Sequence, residues 1–209
     1  MALFTIDSPF MKFMDRFVDV LYLNLLWLLF SLPLATIGAS TAAACSVCLQ
    51  LVDDEEGPIF AAFWKAFRQN FRQGSVLGLL NALAVYILYL DRQLVAAADD
   101  APLLLVVGGI LTAAFFFAAF IHAWPQVARY HNKLPAILKN SLFISVRFPL
   151  KTLLILAVLA LEYFLFGSAP LLKLAGLLIG PMIMIYSVCG IDKRIFQEID
   201  RLRQNGGEA

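Results

Sequence analysis

The chain has 209 residues, of which 61% are hydrophobic and 15% charged, with a net charge of +1 and a mean hydropathy of +0.81. A soluble domain carries about 45–50% apolar and about 25% charged residues. The apolar surplus exceeds what one small globule can bury, so lipid is the expected solvent, and the near-neutral balance gives no reason to expect a nucleic-acid partner. The opening stretch MALFTIDSPFMKFMDR lacks a basic lead into a short apolar run with a small-residue cleavage site, so the first hydrophobic segment is expected to be retained. Three cysteines, Cys45, Cys48 and Cys189, form no disulfide framework.

A spanning helix needs about 20 mostly apolar residues. Six stretches come near that length: 17–35, 38–52, 74–90, 102–124, 149–167 and 170–189. The second is short and rich in small residues. The expected fold is an all-α polytopic membrane bundle in a single domain, with cytoplasmic segments at 53–73, 125–148 and 190–209. Short outer connections are expected near Thr36–Ile37, Asp91–Ala101 and Ser168–Ala169, and turn residues at two tips (Pro33 with Gly38, Gly167 with Pro170) predict antiparallel hairpins.

Charge sets the orientation, because Lys and Arg gather on the cytoplasmic side. Of the sixteen basic residues, all but Arg92 and Lys173 fall in four segments: the N-terminus, the stretch after the second span, the stretch after the fourth, and the C-terminus. Six crossings put all four on one side. Both termini are then cytoplasmic, in a multi-pass protein of the inner (plasma) membrane, and the short second stretch counts as a span.

Two inner segments carry the candidate contact residues. In FAAFWKAFRQNFR, Phe60, Phe63, Trp64, Phe67 and Phe71 recur at helical spacing, with Lys65, Arg68, Gln69 and Arg72 opposite. An aromatic stripe with a basic back suits a helix lying in the membrane interface, or one docking a partner. The second segment, Pro125–Arg147, has no acidic residue, and Lys139, Asn140 and Arg147 fall on one side of its helix. Phe63, Trp64, Phe67, Arg68, Phe71, Arg72, Lys139 and Arg147 are therefore the candidate partner or lipid contacts.

Ionisable groups within a bilayer are costly and suggest function. Glu162 is the candidate intramembrane polar site, with Lys173 its expected partner if it does not reach the interface. Cys45-Ser-Val-Cys48 has redox or zinc spacing but no second ligand pair, and reads as packing residues beside the run Gly38–Ala44. Asp53-Asp54-Glu55-Glu56 lacks the ligand spacing of a calcium loop; it reads as a solvated turn, able to pair with the cations that follow it. No phosphate loop, nucleophile elbow or zincin motif is present. The expectation is a non-enzyme with no catalytic, cofactor or metal residues.

The stretch MDRFVDVLYLNLLWLLFSLPLATIGASTAA, followed in order by FWKAFRQNFRQGSVLG and PQVARYHNKLPAILKNSLFISVRFP, resembles the YesL-like family of bacterial integral membrane proteins. That family has no established function, and its members are often encoded beside carbohydrate ABC importers and glycan-degrading enzymes. The resemblance therefore implies an accessory role in carbohydrate uptake, with importer subunits and membrane lipid as partners, and brings no catalytic residues. Two other readings remain open: a small transporter or channel using Glu162, and a structural or sensory membrane module.

Overall fold

The computed structural model describes residues 9–53, 57–97, 102–130, 132–168 and 170–206, and among these it contains helices and no strand. The elements are α1 (Pro9–Ser31), a short 3-10 turn (Leu34–Thr36), α2 (Ile37–Asp53), α3 (Ile59–Ala97), α4 (Leu103–Ile121), α5 (Ala123–Arg129), α6 (Leu134–Arg147), α7 (Pro149–Gly167) and α8 (Pro170–Gly206). Prolines mark several starts. Pro102 precedes α4, Pro149 opens α7 and Pro170 opens α8, where a missing N–H costs nothing and the fixed φ suits the first turn.

Four stretches are long and apolar enough to cross a membrane: Leu34–Asp53, Ile59–Ala97, Leu103–Arg129 and Pro149–Gly167. This is a multi-pass membrane protein by the length and apolarity of its helices. α1 and α8 stand apart from these four: charged residues crowd the first half of α1, and α8 carries all its charges but Lys173 past Cys189.

The centre of the bundle is α2. Its window is 61% buried inside the protein, against 6% for α4 and for α7. α1, α3, α5 and α8 all pack on it, and Ala39, Ala43, Ala44, Cys45, Val47, Cys48 and Leu51 belong to the largest core cluster. Small side chains make this possible, because in lipid it is close packing that joins helices. At Gly38 an added Cβ would overlap the Gly74 carbonyl, at Gly74 it would sit 2.8 Å from the Ala39 Cα, and at Gly78 2.8 Å from the Gly38 Cα. The α2–α3 contact is backbone on backbone.

The turn between α1 and α2 is closed by Thr36, whose hydroxyl lies 2.6 Å from the Phe30 carbonyl and 2.7 Å from that of Pro33. Trp27 Nε1 donates to Thr41 Oγ1 at 3.1 Å. These bonds satisfy polar groups that lipid cannot.

Three expectations about segment boundaries change. Residues 53–73 and 74–90 do not separate into an interfacial helix and a span: α3 runs unbroken for 39 residues, about 58 Å at 1.5 Å per residue. No proline interrupts it, and its first half has a core of its own. Phe63 and Phe67 are buried, with ring centroids 5.4 and 5.2 Å from that of Phe30 on α1. α8 likewise continues through 190–206 as helix. The expected inner segment 125–148 divides into α5 and α6, with extended backbone at Tyr130 and Lys133 between them.

The expected hairpins α1–α2, α3–α4 and α7–α8 are present as packed neighbours. α7 packs along α8 and touches α6, but has no extended interface with α3 or α4. The α3–α4 and α7–α8 hairpins are thus joined through α2, α5 and α6, while α7 stands apart from α3 and α4 beyond α6.

Candidate functional site: the fastened end of the bundle

Charged groups converge where α2, α5, α7 and the second half of α8 meet. Lys193 pairs with Asp53 and its Nζ donates to the Val52 carbonyl at 3.0 Å, tying α8 to the end of α2. Arg129 on α5 meets Asp200 at 2.9 Å, and Lys151 on α7 meets Glu198 at 2.5 Å. Phe196 is buried; Tyr130 packs edge-on against it at 5.5 Å and the Arg129 guanidinium lies 5.3 Å over its ring. Each partly exposed pair contributes about 0–1 kcal/mol. Together with the packing of Ile144, Ile195 and Phe196, they hold the last helix in place.

Beneath them lies a pair that sequence reasoning missed. His122 and Asp192 have fully buried side chains, with Nδ1 and Oδ1 2.6 Å apart. His122 Nε2 lies 3.1 Å from Thr152 Oγ1, and Gln126 Nε2 donates to the His122 carbonyl at 3.1 Å. One side chain at the α4–α5 corner therefore joins α7 and α8. Burial pushes the Asp192 carboxyl up from its ordinary range, while the bond to His122 and its charge pull the other way. Asp192 Oδ2 has no hydrogen-bond partner among the described residues.

The candidate residues read from the sequence fall in three places. On α3, Phe63 and Phe67 turn inwards, so they serve the protein's own core and offer no contact surface. Trp64, Arg68, Phe71 and Arg72 stay exposed. On α6, Lys139 and Arg147 are exposed as expected. α3 and α6 share no extended interface, so these are two surfaces. Glu162 lies apart from both and is buried; Ser187 Oγ donates to its Oε1 at 3.1 Å. Its partner is thus Ser187, and Lys173, about four turns away along α8, is exposed.

Asp53 is claimed by Lys193 on α8, not by the cations of α3; Asp54, Glu55, Glu56 and His131 lie outside the described residues. The three cysteines are buried free thiols, with Cys189 Sγ 3.8 Å from the Cys45 carbonyl. Their burial in the α2–α8 contact fits packing.

Beside Arg147, α5, α6 and α8 enclose a recess of about 370 Å³ walled by Gln126, Tyr130, Asn140, Phe143, Arg147 and Phe196 among others. Its rim is apolar and open: Phe143 is 63% exposed and Leu202 47%.

A family described as a protein of unknown function, DUF624, matches residues 20–92, the stretch from α1 through most of α3. The uncharacterized protein YesL of Bacillus subtilis (strain 168) is 33% identical over 166 residues, covering 73% of this chain and 78% of that protein. The chain belongs to the YesL-like family. The uncharacterized protein YteU of the same organism is 25% identical over 202 residues, covering 95% of this chain and 88% of its own length. No solved structure matches. The family match lies on α1–α3, so the glycine contact between α2 and α3 falls within its most recognisable part.

Proposed function

We propose that this YesL-like protein is an accessory component of a carbohydrate ABC-type importer, held in the cytoplasmic membrane with both termini inside, and that it acts by contact and not by turnover. The observation that carries the reading is the α6–α8 recess. Exposed Phe143 and Leu202 flank Arg147 and Asn140 on a base that the ion pairs of α8 fasten in place. An apolar groove with a cationic edge fits an amphipathic helix laid across it. The association of the family with importer genes names the class of partner, and the gathering of basic residues on one side supports a cytoplasmic position for the recess.

Purification from native membranes in mild detergent is expected to recover importer subunits with the wild-type chain. Phe143→Asp combined with Arg147→Glu should lower that recovery at least tenfold while leaving the helical content unchanged, since both side chains are exposed and losing an aromatic anchor that a partner covers costs about 2 kcal/mol or more. No importer subunit with the wild-type chain, and unchanged sugar uptake after deletion, would refute the reading.

A further inference from the structure

The space between the two hairpins is a cleft of about 980 Å³ walled by α3, α4, α6 and α7. Its lining is apolar apart from Asn81, Ser145, Thr152 and the indole of Trp124. α3, α4 and α7 are each long and apolar enough to cross a membrane, so the cleft lies at hydrocarbon depth. A roomy apolar space with few polar groups does not hold water, and in a bilayer its natural filling is an alkyl chain.

The charges say which amphiphile fits. No acidic or basic side chain lines the cleft. The two cations flanking its inner corner turn away: Arg147 lines the α6–α8 recess, and Lys151 reaches Glu198 on α8. A phosphate headgroup would find no counter-charge at this cleft.

The hydroxyls narrow it further. Ser145 Oγ donates its hydrogen to the Ala118 carbonyl at 3.0 Å. Thr152 has one hydrogen and two claimants, the Phe148 carbonyl at 3.2 Å and His122 Nε2 at 3.1 Å. Either way that hydrogen is spent within the protein, and both hydroxyls turn only lone pairs to the cleft. At that corner the matching group must donate, while the Asn81 amide and the Trp124 indole N–H can donate to an ester carbonyl of the same molecule. We infer that the cleft binds one long-chain neutral alcohol, such as a diacylglycerol, with its chains between α4 and α7 and its hydroxyl donated to Thr152. The His122–Asp192 pair positions the Thr152 hydroxyl from behind, and the inference does not depend on the importer reading.

Trp124 lines the cleft and can report on it. The chain has three tryptophans, and Trp27→Phe with Trp64→Phe leaves Trp124 as the only one. In nanodiscs of unlabelled phosphatidylcholine, brominated diacylglycerol at a few mole per cent is expected to quench Trp124 saturably, and brominated phosphatidylcholine at the same fraction should not. Ala113→Phe, which fills the cleft, should abolish the saturable part. Thr152→Val, or acetylation of the diacylglycerol hydroxyl, should raise the half-saturating fraction by about five- to tenfold, the worth of one hydrogen bond. If the double tryptophan variant does not fold, the difference between the wild-type chain and Trp124→Phe gives the same signal. Equal quenching by the two brominated lipids, indifference to Ala113→Phe, or preference for brominated phosphatidic acid would each overturn the inference.

Discussion

Replacing His122 with alanine is expected to destabilise the protein by about 1–3 kcal/mol, the usual cost of leaving a buried polar group without its hydrogen-bond partner. Asp192 would be left in a fully buried site without the imidazole it bonds, and its second oxygen already lacks a partner among the described residues. The loss would also free Thr152, cutting the tie between the α4–α5 corner and α7. The informative comparison is with the double variant His122→Ala, Asp192→Ala. Removing both groups leaves a cavity but no buried carboxyl without a partner, so the double variant should be more stable than His122→Ala alone. A thermal or denaturant titration in detergent measures both, and a double-mutant cycle gives the coupling. If the two single changes simply add, the pair is not the lock that its geometry describes.

The second large effect is expected at Gly38. An alanine there sets a methyl group against the Gly74 backbone, with the Gly78 Cα 2.9 Å away. Backbone on both sides leaves no flexible side chain to yield, so α2 and α3 must separate. Overpacking of this kind costs about 1–3 kcal/mol, and the upper end is expected, because this contact holds the central helix. Gly108→Ala is the control: nothing lies within 4 Å of its added Cβ, and a helical glycine replaced by alanine gains up to about 1 kcal/mol in propensity. The two substitutions should therefore move unfolding in opposite directions, measured under the same conditions.

Much of the architecture was legible in the sequence, and the exceptions have physical reasons. Hydropathy located the apolar stretches, and turn residues at Pro33, Gly167 and Pro170 located the hairpin tips. The small residues of 38–52 pointed to close helix contact, and α2 makes that contact with backbone. The aromatic period of Phe60–Phe71 was right as a helix, but periodicity cannot tell an apolar face that meets lipid from one that meets protein. Phe63 and Phe67 face Phe30 for reasons of tertiary packing alone. The continuity of α3 was equally hidden, because a basic stretch beside an apolar one reads as a boundary although nothing in it breaks a helix.

The His122–Asp192 pair was not legible as a pair. Its members are 70 residues apart, and no spacing rule joins them. A weaker signal existed in each alone: His122 ends the apolar run FFFAAFI, and Asp192 follows IYSVCGI. An ionisable group at the end of an apolar stretch asks for a partner. Glu162 drew attention by that same argument, and the structure gives it Ser187 and a place outside the large cleft. A transport path through Glu162 therefore draws no support from that cleft.

The proposal of a cytoplasmic docking surface stands or falls on which side of the membrane α6 occupies. The three native cysteines are buried, so the wild-type chain serves as the blank for labelling with a membrane-impermeant maleimide. Lys139→Cys on α6 and Gln93→Cys near the far end of α3 both place a thiol at an exposed position. In intact cells Gln93→Cys should label and Lys139→Cys should not, and permeabilisation should expose the second. Labelling of Lys139→Cys before permeabilisation would put the recess outside the cell and contradict the account.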